Sequence, residues 1–184
     1  MTLKTHILSA NAYELKIIRL LYLFAPENPI VQNMVRKTLA RLQTTCFAYQ
    51  NCHHGECFHS ALIVLRFLGT VSDDAQWMKK LIHLFNTYNG ETVRHSGTVW
   101  DYWLCLSELP LAIAESELAK NKEEWLARLQ KSLVMNQEND KIHHPVLFCI
   151  LRNGLSRLSE FAYMRNRKPY VNEKDGRLYF DVLA

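Results

Sequence analysis

Glycine and proline are scarce in this chain, six and five residues of 184. That excludes a collagen-like or a Pro/Gly-rich disordered chain. Sharp signatures of chemistry are missing as well. No P-loop, Rossmann glycine pattern, kinase set or G-x-S-x-G occurs. HExxH is absent. An H-x-E stands at His54–Glu56, but the P-C-x-x-C that completes a zinc deaminase does not. Nor is there a long uncharged apolar run. Glu14, Lys16 and Arg19 interrupt the N-terminal MTLKTHILSANAYELKIIRLLYLF, and no small-residue cleavage site follows. Neither a signal peptide nor a membrane span is expected.

The five cysteines (Cys46, Cys52, Cys57, Cys105, Cys149) are odd in number, in a chain long enough to fold without a disulfide framework. They read as reduced thiols, and the expected location is the cytoplasm.

The residues that are present describe a soluble globular chain, 48% apolar and 22% charged. The net charge of +4 is unevenly spread. Residues 1–50 carry six Lys/Arg against two acids, residues 101–150 five against eight, and residues 151–184 seven against four. Both ends are basic and the third quarter is acidic, an asymmetry that can help two copies associate.

Helix signals recur along the chain. Asn11-Ala12-Tyr13-Glu14 reads as a capping box, with Leu15, Ile18, Leu21 and Phe24 on one stripe. Asn28-Pro29 opens the next helix, with Pro where no N–H is needed. Residues 56–69 are apolar almost all round, as in a helix buried on most sides, and Gly69 suits its end. Asp73-Asp74 caps a helix with Trp77, Leu81, Leu84, Phe85 and Tyr88 on one face, and Asn89-Gly90 ends it. Residues 98–109 form another buried run, broken at Pro110. Asn121-Lys122-Glu123-Glu124 reads as a further capping box, and Pro145 opens a last helix with a break at Gly154. In the tail, two β-prone runs flank Asp175-Gly176, a hairpin signal.

The expected fold is therefore all-α: about seven helices as stacked α-hairpins, with a small C-terminal β-hairpin or extended tail. The spacing of the buried helices resembles HEAT-like repeats or part of an α/α toroid, as an open arc or a compact bundle. A helical domain over 1–168 and a tail over 169–184 packed on it are expected.

Three groups of residues carry functional expectations. His53, His54 and Gly55 precede one buried helix, His95 precedes another, and His143 and His144 precede Pro145. Stacked hairpins would bring these turns to one rim, where helix N-termini present free N–H groups. An enzyme site on that rim would use His54, Glu56, Cys57, His95, Asp101 and His144. Cys57 would be the thiol nucleophile and Asp101, beside Trp100 and Trp103, a carboxylate base. Cys52, His53, Cys57 and His59 offer a loose zinc-ligand set. Against both, His and Gly are ordinary turn residues, and free Cys is commonly buried. Arg36, Lys37 and Arg41, with Arg165, Arg167 and Lys168, would make a phosphate-binding stripe for nucleic acid.

With no sharp catalytic motif, the leading expectation is a non-enzymatic binding or scaffold protein with no cofactor, whose partner is a protein or a second copy. An enzyme on the His/Cys/Asp rim and a nucleic-acid backbone binder are the alternatives.

Overall fold

The computed structural model describes residues 6–45, 55–95, 98–135, 149–150, 152–165, 167–175 and 178–182. The chain is mostly helical. It divides into two compact units, Met1–Asp101 and Tyr102–Ala184. Among the described residues no helix is long and apolar enough to cross a membrane.

In the first unit, α1 (His6–Phe24), α2 (Pro29–Gln43), α3 (Gly55–Val71) and α4 (Ala75–His95) follow one another. Helix α1 packs on both α2 and α3, and α3 packs on α4. Two of the starts obey local chemistry. The Asn28 side chain accepts from the backbone N–H of Ile30 at 2.9 Å and of Val31 at 3.4 Å, with Pro29 in the first helical position. Asp74 Oδ1 accepts from the N–H of Trp77 at 2.9 Å. The core is largely aliphatic: Leu15 and Ile18 of α1, Val35 and Leu42 of α2, Leu65, Phe67 and Leu68 of α3 and Met78, Leu81 and Phe85 of α4 are buried. Lys79 and Lys80 face solvent.

The second unit holds most of α5 (Thr98–Glu108), then α6 (Leu111–Met135), helical turns at 149–150 and 152–155, and a 3-10 helix at Ser159–Met164. Arg167–Val171 (β1) pairs antiparallel with Leu178–Val182 (β2), Tyr170 opposite Tyr179. The two rings stack at 5.9 Å between centroids. Strand β1 also packs on α6 and on the 3-10 helix. Pro110 separates α5 from α6, and its carbonyl accepts from the N–H groups of Ile113 and Ala114.

Three local stop or start signals do not act as read. The helix containing Asn11 already begins at His6, so Asn11 is interior. Helix α4 runs through Asn89-Gly90 to His95. Helix α6 begins at Leu111, not Asn121, and the Asn121 side chain donates to the carbonyl of Glu117 one turn back, at 2.7 Å. A cap contributes about 1 kcal/mol, and helix continuity backed by packing exceeds that. Gly69 lies in the last turn of α3, which ends at Val71.

Candidate functional site

Helix α1 carries two apolar stripes. At about 100° per residue, Leu15, Ile18 and Tyr22 fall on one side. Leu15 and Ile18 are buried and Tyr22 is half-buried. Tyr13, Ile17, Leu20 and Phe24 fall on the other side, within about 60° of one another, at the 4-3-4 spacing of a coiled-coil seam. They are 75%, 56%, 50% and 86% exposed. Leu21 and Leu23 flank them and are exposed too, as is Ile30 just past the turn into α2. Leu21 and Phe24, expected in the buried stripe, thus stand in solvent.

Polar contacts pin the sides of this helix. Arg41 Nη2 lies 3.0 Å from Glu14 Oε1, tying α2 to α1. Arg19 Nε donates to Thr70 Oγ1 at 2.8 Å, tying α1 to α3. Lys16 Nζ sits 5.6 Å from the centroid of the Tyr13 ring. Helix α1 is thus bridged to both of its neighbours on the sides away from the outer stripe.

The second unit contains a different cluster. Trp103 and Trp125, both fully buried, meet at 4.9 Å between ring centroids, tilted 47°. The Arg128 guanidinium lies 5.2 Å from the Trp103 ring centroid and pairs with Glu124 at 2.8 Å. Gly154 presses on Trp125 so closely that a Cβ there would stand 2.1 Å from Cζ3. Trp125 Nε1 is buried with no acceptor among the described residues. The nearly buried Glu117 carboxylate accepts from Tyr102 Oη at 3.2 Å and from Lys120 Nζ at 2.8 Å. Arg157 donates to the carbonyls of Leu106 and Ser107, each at 3.1 Å, and of Leu109, closing the C-terminal end of α5. Burial pushes the Arg157 guanidinium below the usual arginine range. These contacts join the groups to one another within the core of the unit.

Of the expected enzyme rim, Asp101 has a described side chain. It is exposed in the first turn of α5, where a carboxylate complements the helix dipole, and not enclosed in an apolar pocket. His95 is the last residue of α4, so it closes one helix instead of standing in a free turn. Glu56, Cys57 and His59 lie in the first turns of α3, and their side chains, with that of His95, are outside the described residues, as are Cys52, His53, His54 and His144 altogether. Among the described residues no three His, Cys, Asp or Glu gather to hold a metal ion.

The six basic residues fall in two units. Arg36 Nη2 donates to Asn33 Oδ1 at 2.8 Å, Lys37 is exposed, and Arg41 is paired with Glu14. Arg165 Nε donates to the carbonyl of Ser156 at 3.0 Å, Arg167 is half-buried on β1, and Lys168 lies on β1 with its side chain outside the described residues. Half of the group is thus engaged within the chain. No protein-family model, curated protein or solved structure matches this sequence.

The outer stripe of α1 was the surface that sequence reasoning missed. Its signal was present: Tyr13, Ile17, Leu20 and Phe24 keep helical spacing on the side opposite Leu15 and Ile18.

Proposed function

We propose that this protein is a non-enzymatic binding or scaffold protein built of stacked α-hairpins with a terminal β-hairpin, and that the outer face of α1 is its working surface. The observation that carries the reading is the exposed stripe Tyr13, Ile17, Leu20 and Phe24. Isolated exposed apolar residues are normal, but a contiguous patch of this extent marks an interaction surface. The helix beneath packs on α2 and α3 and is bridged to them by Glu14–Arg41 and Arg19–Thr70, so a partner need not order the face.

The test is Ile17→Asp at submicromolar protein, where association does not contribute to stability. A face outside the chain's own core predicts an unfolding free energy within about 0.5 kcal/mol of the parent. It also predicts that the parent binds a hydrophobic dye and the variant binds less. A loss of about 3 kcal/mol would mean that Ile17 is packed internally, and the reading fails.

A further inference from the structure

We propose that the occupant of this face is a second copy of the same chain, the two α1 helices pairing antiparallel about a two-fold axis that passes between Ile17 and Leu20. This rests on the reading of α1 as a binding surface.

The area fits. The seven exposed apolar residues between Tyr13 and Ile30 present on the order of 900 Å², against about 800 Å² per partner in a standard protein interface. The spacing fits as well. The separations 13–17, 17–20 and 20–24 are four, three and four, a palindrome. Reversing the helix therefore places each apolar residue opposite another. Tyr13 faces the partner's Phe24 at both ends, and Ile17 faces the partner's Leu20 in the middle. The seam is about 17 Å long. Aromatic groups then close the two ends over an aliphatic centre, the arrangement in which a desolvated middle carries most of the affinity.

Helix dipoles favour the antiparallel order, because the positive N-terminal end of each α1 then lies beside the negative C-terminal end of its partner. A membrane surface suits the face less. Helices that lie on lipid set an apolar face against a Lys/Arg-rich one. Here the side opposite the stripe is Leu15 and Ile18, committed to the core, and Arg19 is committed to Thr70.

The experiment is sedimentation velocity on the full chain from submicromolar to high-micromolar concentration, with circular dichroism confirming that each variant is folded. The parent should pass from one copy to two. Tyr13→Glu and Phe24→Lys should each weaken pairing by at least about 30-fold. The double variant Tyr13→Glu/Phe24→Lys should recover at least about tenfold over either single, because the introduced carboxylate then faces the introduced ammonium across the seam at both ends. The two positions are three turns apart on one helix, so no recovery arises within a single chain.

A dimer that neither single variant weakens would overturn the site. A double variant weaker than either single would overturn the antiparallel order. A single copy at every concentration would overturn the pairing. Dye or anionic-vesicle binding lost in Ile17→Asp would then keep the binding surface with another occupant. No binding, together with a destabilised Ile17→Asp, would overturn the binding surface also.

Discussion

The two units reach a folded core by different means. In the first, the buried side chains are mostly aliphatic, and the buried polar groups are hydroxyls such as Thr38, Thr45 and Ser60. Thr45, for one, donates to a carbonyl of its own helix, Leu42, at 2.6 Å. In the second, two tryptophans pack together under an arginine, a carboxylate is nearly buried, and another arginine closes a helix end. An aliphatic core is non-directional, so many arrangements of it are similar in free energy. A core with directed polar contacts admits fewer, because each buried donor or acceptor needs its partner in place. Among the described residues, the first unit also carries the longer run of exposed apolar side chains.

The comparison is broken most severely by truncating the apolar filler. Phe67→Ala in the first unit should cost about 4 kcal/mol, and Trp125→Ala in the second a similar amount, read by chemical denaturation. Gly154→Val sharpens it. The Trp125 ring occupies the space a side chain would need, so a loss of about 3 kcal/mol is expected, confined to the second unit in hydrogen exchange.

Polar deletions should then separate the units. Arg157→Met removes three donors from the end of α5 and should cost about 2 kcal/mol. Arg157→Lys should recover only part of that, because an ammonium does not reproduce the guanidinium fork. Glu14→Ala in the first unit removes a pair whose side chains are both more than a third exposed, and it should cost about 0.5 kcal/mol or less, fading with salt. Equal losses for Arg157→Met and Glu14→Ala would erase the distinction.

The smallest effect concerns pH. The hydrogen bond to Glu160 raises the Lys122 ammonium above its ordinary range, with desolvation acting against it. A base raised in the folded state contributes stability below its unfolded pKa and loses it as pH rises through the folded value. Parent and Lys122→Met should therefore differ slightly at neutral pH and converge in strong alkali. A difference that grows with alkalinity would reverse the assignment.

Much of the helical pattern was legible because it rests on short-range chemistry. Asn28-Pro29, Asp74 and Pro110 act at the positions where their side chains or missing N–H dictate. Trp77, Leu81 and Phe85 are buried as their spacing requires. The false signals were of the same local kind. Asn11, Asn89-Gly90 and Asn121 resemble helix ends, but each contributes about 1 kcal/mol and lies inside a longer helix. Of the candidate site, Asp101 stands exposed in the first turn of α5, because a carboxylate's neighbours in sequence need not enclose it. The His and Cys positions at 52–54, 57, 59 and 144 lie outside the residues that test them.

Local propensity and periodicity were sufficient to make this chain helical, to start several of its helices and to mark two apolar stripes on the first of them. Which stripe turned inward was decided by the tertiary structure. A helix with apolar residues on both sides gains about the same from burying either one. Packing of α1 on α2 and α3 buries Leu15 and Ile18, with Arg41–Glu14 and Arg19–Thr70 bridging residues far apart in sequence, while Tyr13, Ile17, Leu20 and Phe24 remain in solvent.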